Sequence, residues 1–154
     1  MAATDRAKDQ IVRLSYMDGG TVVVTPEDED RFVLTAQKAV KACQDQHPTG
    51  EAIKSFKSRF LLPLVNWCKR HTDRVQACYL PVPVGHLQVF IIGVSRKYDF
   101  ELGKDIAGLE LQLFDAGWRV NVLQIPHGDE EDLQTFFDVE GALQVYAQLE
   151  AAQG

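Results

Sequence analysis

Leu87-Gln88-Val89-Phe90-Ile91-Ile92-Gly93-Val94 is a nearly unbroken apolar run of strand length, and its reading decides the fold class. Asp99 to Ala116 follows with helical periodicity and stops at Gly117. Trp118-Arg119-Val120-Asn121-Val122-Leu123-Gln124-Ile125 then alternates and closes on Pro126. A strand, a helix and a strand at this spacing predict two parallel strands, 87–94 and 118–126, joined by a right-handed crossover. An apolar run without alternation predicts a strand covered on both faces.

Working toward the N-terminus, Val75–Leu80 reads as a strand, and Pro81-Val82-Pro83-Val84-Gly85 as a loose hairpin connection to the next. Glu51 to His71 carries Ile53, Phe60, Leu64, Trp67, Cys68 and His71 on one helical stripe. Pro63 lies inside that pattern, where its missing N–H should kink or split the helix near Arg59–Leu62. Thr25-Pro26-Glu27-Asp28 is a helix start, with Thr25 as the cap and acids in the first turn. That helix runs to about Gln46, with Phe32, Ala36, Ala39, Val40 and Cys43 inward, and His47-Pro48-Thr49-Gly50 breaks it. Gln10–Tyr16 and Thr21–Thr25 predict a hairpin, because Asp18-Gly19 between them suits a turn that needs positive φ.

Toward the C-terminus, Leu102, Ile106, Leu109 and Leu113 form the inward stripe of the crossover helix, broadened by Phe114. Gly103 and Gly108 lie within it, each costing about 1 kcal/mol against alanine. The tail predicts one helix from Asp129 and a second from Asp138, with Leu133, Phe136, Phe137, Leu143, Tyr146 and Leu149 apolar. The expected order is ββααββαβαα. The expected fold is mixed α/β (α+β), a single domain over 1–154 with 1–9 and 151–154 as flexible ends. Its sheet has about five strands, strand 87–94 central and helices packed on it.

Composition narrows the function classes. A hydrophobic share of 45% and a charged share of 25% describe a folded chain rather than a disordered one. No stretch reaches the roughly 20 apolar residues of a membrane helix. Three cysteines and no export signal predict reduced thiols, no disulfide and a cytoplasmic protein. The net charge of −6 argues against nucleic acid as a partner. The charge is divided unevenly: residues 1–77 hold 12 basic and 10 acidic side chains, and residues 78–154 hold 4 and 12.

Four patterns invite chemistry. Cys68-Lys69-Arg70-His71 with Cys78 and His86 has zinc-ligand types but no second close pair, so no metal is expected. The acids at Glu27–Asp30 and Asp129–Asp132 open helices, which explains them without a cation. Lys54, Lys57, Arg59, Lys69, Arg70 and Arg74, interleaved with Phe56, Phe60 and Trp67, read as an amphipathic helix. Gly93–Asp99 and Ile125–Gly128 follow the two parallel strands, and open α/β sheets take ligands at such strand ends. Ser95 and Arg96 would meet an anion there, with His127 as proton carrier. The chain has no Gly-x-Gly-x-x-Gly, P-loop, Gly-x-Ser-x-Gly or His-Glu-x-x-His motif.

The expectation is therefore a non-catalytic protein-interaction module without cofactor, self-associating as a homodimer or joined to another protein. A small enzyme or anion-binding domain using the strand-end mouth is the alternative.

Overall fold

The computed structural model describes residues 11–16, 21–44, 50–83 and 86–148, apart from the side chains of residues 43 and 44. Its chain order is β1 (Val12–Arg13), β2 (Ser15–Tyr16), β3 (Val22–Val23), α1 (Glu29–Gln44), α2 (Gly50–Phe56), α3 (Leu62–Arg70), β4 (Val75–Leu80), β5 (Gln88–Gly93), α4 (Phe100–Asp115), β6 (Asn121–Ile125), α5 (Glu130–Leu133) and β7 (Leu143–Ala147). Five strands form one mixed sheet in the order β1-β7-β4-β5-β6, and β2 pairs with β3 in a small second sheet. The fold is mixed α+β, as the apolar run at 87–94 requires.

The strand–helix–strand unit is present as read. β5 and β6 are parallel, with Gln88 opposite Asn121 and Ile92 opposite Ile125. α4 begins on Asp99, whose side chain accepts the Leu102 N–H at 3.0 Å. It ends on Gly117 at φ +98, where the Trp118 N–H reaches the Leu113 carbonyl at 2.9 Å and the Gly117 N–H reaches Phe114 at 2.9 Å. Only a residue tolerant of left-handed backbone closes a helix in this way.

β5 is flanked on both sides, but the middle place belongs to β4, antiparallel to both β5 and β7. The newcomer is β7. The second tail helix expected from Asp138 is a strand instead. Asp138 accepts the Gly141 N–H at 3.3 Å and closes a turn there. Leu143, Gln144 and Val145 are then buried in succession between β1 and β4. Leu143 and Tyr146 stand three apart, a spacing that fits a helix as read, and two available sheet neighbours outweigh it. Gln10–Tyr16 also divides. Val12–Arg13 joins β7 in parallel, while Ser15–Tyr16 pairs with β3 as the expected antiparallel hairpin. Its turn at 17–20, the break at 45–49, and Leu149 lie outside the described residues.

The long helices cover one face of the sheet. Phe32, Val40, Phe56, Phe60, Leu64, Leu102, Leu109 and Leu113 bury against Val89, Ile91 and Val145. The opposite face, through Tyr79, Phe90, Ile92 and Ile125, is covered by Leu133, Val139 and Ala142. Alternating β5 residues thus enter two separate cores. Pro63 acts as expected. A π-helical turn, Lys57–Leu61, separates α2 from α3 and ends with the Leu62 N–H on the Lys57 carbonyl. Pro63 falls in the first turn of α3, where its missing donor is harmless. Thr25 does not cap with its side chain. A 3₁₀ turn, Pro26–Asp28, intervenes, and the Thr25 hydroxyl donates to the Asp28 carboxylate at 3.0 Å.

Candidate interaction surface

α4 has two apolar faces. Leu102, Ile106, Leu109 and Leu113 are buried under the sheet. Phe114, expected to widen that stripe, lies outside it at 61% exposure, with Leu111 at 61% and Phe100 at 76%. Together with exposed Ala107, these residues recur at intervals of seven, four and three along the solvent side. Residues seven apart on a helix lie within about 20° of each other around its axis, so they share one face. The spacing was readable in the sequence as Phe100, Ala107 and Phe114, but the adjoining inward stripe absorbed Phe114. Tyr98 extends the surface at the helix start, its ring edge-on to Phe100 at 5.0 Å.

A groove of about 580 Å³ runs beside this line, bounded by Leu111, Phe114, Trp118, Arg119, Asn121 and His86 among others. Trp118 is buried against the rings of Phe56 and Phe60, at 5.9 and 5.3 Å, so its side chain is fixed. Glu110 reaches from α4 to β6, where its carboxylate accepts the Val122 N–H at 2.7 Å. β6 is the outer strand on that side of the sheet. Its neighbour Asn121 donates inward to Leu87, so the Val122 N–H faces outward and is satisfied by Glu110.

Two further hollows lie among the described residues. One of about 780 Å³ lies among Tyr16, Val65, Lys69, Thr72 and Tyr146. The other, of about 370 Å³, is bounded by Pro81, Pro83, Phe90, Phe136 and Phe137. None of the three is lined by Ser95, Arg96 or His127.

Those three residues occupy one end of the sheet. The His127 N–H donates to the Ser95 carbonyl at 2.8 Å, which ties the two loops together beyond β5 and β6. The Ser95 hydroxyl accepts the Lys97 N–H at 3.0 Å. Arg96 is exposed, and His127 is half-buried with its Nδ1 unpartnered. Asp99 fills the N-terminus of α4 with its own carboxylate, 3.6 Å from Arg74. Gln124 grips the same residue through both amide atoms, accepting the Asp99 N–H at 2.8 Å and donating to its carbonyl at 3.0 Å.

The other patterns resolve into structure. His71 Nδ1 donates to the Trp67 carbonyl at 2.8 Å, and Nε2 lies 3.5 Å from Asp105. It stands at the Val75–Gly93 end of the β4–β5 pair, whereas His86 precedes the other end of β5. Cys68 and Cys78 are buried free thiols. Burial pushes the Cys78 thiol well up, and its hydrogen bond to Cys68 adds to the rise. Among the described residues no three His, Cys, Asp or Glu side chains are grouped to hold a metal ion. Phe56, Phe60 and Trp67 are buried, so none of these three rings is open to a stacked base. Among the described residues no helix is long and apolar enough to cross a membrane.

A polar chain pins α5 to the sheet. Gln144, buried, donates to the Tyr79 hydroxyl at 3.1 Å, and that hydroxyl donates to Glu130 at 3.2 Å. Arg13 completes it at 3.2 Å from Glu130. Burial raises the Tyr79 hydroxyl above its usual range; the Gln144 hydrogen bond opposes this, and the Glu130 charge reinforces it.

No protein-family model, no curated protein and no solved structure matches this chain.

Proposed function

We propose that this chain is a non-catalytic protein-interaction module whose contact surface is the outer face of α4. The observation that carries the reading is the line Phe100–Leu111–Phe114, three large apolar side chains more than half exposed on one helix. Single exposed apolar residues are ordinary, whereas an aligned set beside a groove marks contact surfaces. The surface is mounted on a helix locked at both ends by Asp99 and Gly117, so little ordering is lost on docking.

The test is native fractionation of extracts from cells that express the protein. Wild-type chain should elute in a species larger than its own 17.3 kDa, and Leu111→Ser/Phe114→Ser should elute at the monomer position. Elution of both at the monomer position refutes the reading.

A second reading, anion binding at the sheet end, draws on the tie between His127 and Ser95 and on the unpartnered Nδ1 of His127. Titration with inorganic phosphate should then move the imidazole resonances of His127, and Arg96→Ala should abolish the movement. Resonances unmoved at saturating phosphate exclude it.

A further inference from the structure

We propose that α4 receives the cationic amphipathic helix of a partner protein, an inference that rests on the interaction reading above and gives the partner its chemistry. Two features of α4 specify it. The first is the repeat. Phe100, Ala107 and Phe114 are seven residues apart, with Leu111 between the last two, and a line of that period stays in register with a second helix laid alongside. The helix has 16 residues, a length of about 24 Å, which accommodates several turns of a partner.

The second is charge. α4 carries Glu101, Asp105, Glu110 and Asp115 against Lys104 alone. Lys104 is paired with Glu101 at 3.6 Å, Asp105 lies beside His71, and Glu110 and Asp115 flank the exposed Leu111 and Phe114 in the chain. Arg119 and His86 are the basic side chains named on the groove, with Glu110 beside them. The acidic balance extends across residues 78–154, with 4 basic and 12 acidic side chains. Like charges across the contact disfavour a second copy of α4, and an acidic helix is repelled by an anionic membrane. A partner helix with apolar residues on one face and lysine or arginine beside them meets both features. The free edge of β6 next to α4 is less suited to an added strand, because Glu110 already holds its Val122 N–H.

The probe is a synthetic helical peptide of leucine and lysine, with leucines on one face at a seven-residue repeat. Two controls accompany it: the same leucine face with glutamate in place of lysine, and the leucine–lysine composition scrambled to lack a face. Amide shifts of the full chain are followed by NMR during titration. The lysine peptide should shift Phe100, Ala107, Leu111 and Phe114 in a saturable manner. Each control, and the lysine peptide on folded Leu111→Ser/Phe114→Ser, should bind at least about tenfold more weakly. Equal binding of the glutamate or scrambled peptide, shifts centred elsewhere, or no saturable binding overturns the inference. Light scattering that shows a dimer, lost in Leu111→Ser/Phe114→Ser, also overturns it by assigning the surface to a second copy. In that case the interaction reading stands; loss of the native complex in the same variant likewise keeps it when the peptides fail.

Discussion

The Glu110 carboxylate accepts the Val122 N–H at 2.7 Å, so a helix side chain completes the outer edge of the sheet. The bond joins α4 to β6 across the rim of the groove, and it occupies a donor that an edge strand would otherwise present to other chains. Glu110→Ala should lose about 1–2 kcal/mol in urea unfolding, the value of a charge-assisted hydrogen bond that is only partly shielded. The same variant should also aggregate faster at equal folded fraction. Unchanged stability with unchanged aggregation would show that the contact is incidental.

Tyr79 and Gln144 give a sharper case. Tyr79→Phe removes the acceptor of a buried Gln144 amide and the donor to Glu130, and should cost about 1–3 kcal/mol. Arg13→Ala cuts the exposed end of the same chain and should cost less than about 0.5 kcal/mol. Denaturant midpoints for the two variants measure the difference. Similar losses in both would mean that the chain is not graded by burial.

The two glycines of α4 separate sterics from propensity. A methyl group at Gly108 meets nothing within 4 Å, so Gly108→Ala should stabilise by up to about 1 kcal/mol. At Gly103 the new methyl would lie 2.7 Å from the Tyr98 hydroxyl. Tyr98 is half exposed and has room to move, so Gly103→Ala should gain less than Gly108→Ala and should disturb the Tyr98–Phe100 contact. Thermal midpoints and tyrosine fluorescence report these two effects.

Alkaline pH should unfold the protein early. Burial raises the Tyr16 hydroxyl far above its ordinary value of 10.0, and raises the Cys78 thiol above 9.0. Both groups stay protonated in the folded chain while the unfolded chain releases their protons, so the unfolded state binds fewer protons. Stability is therefore intact below about pH 9 and falls as pH rises through the ordinary thiol and phenol values. Each group contributes a slope of at most about 1.4 kcal/mol per pH unit above its unfolded value. Urea midpoints between pH 8 and 11 measure it, and Cys78→Ala should flatten the lower part of the fall. A midpoint constant over that range contradicts the burial of both groups.

Several elements whose stabilising contacts are local are legible in the residues alone. Asp99 and Gly117 delimit α4 because a cap and a left-handed residue act within one turn. Pro63 marks the α2–α3 junction because its ring acts on the preceding turn. The parallel pairing of β5 and β6 follows from the length of the intervening helix. What the tertiary structure alone decided is which apolar residues are covered, and by what. Leu143–Ala147 is a strand because β1 and β4 stand on either side of it, a fact that no window of its own residues contains. Phe114 faces solvent and Leu113 does not because the sheet lies on one side of α4, whereas hydropathy treats the two alike. Ser95 and His127 meet because two strand ends meet, 32 positions apart in the chain. Local backbone chemistry is written in neighbouring residues; the covering of a face depends on contacts between residues far apart, and those exist only once the chain has folded.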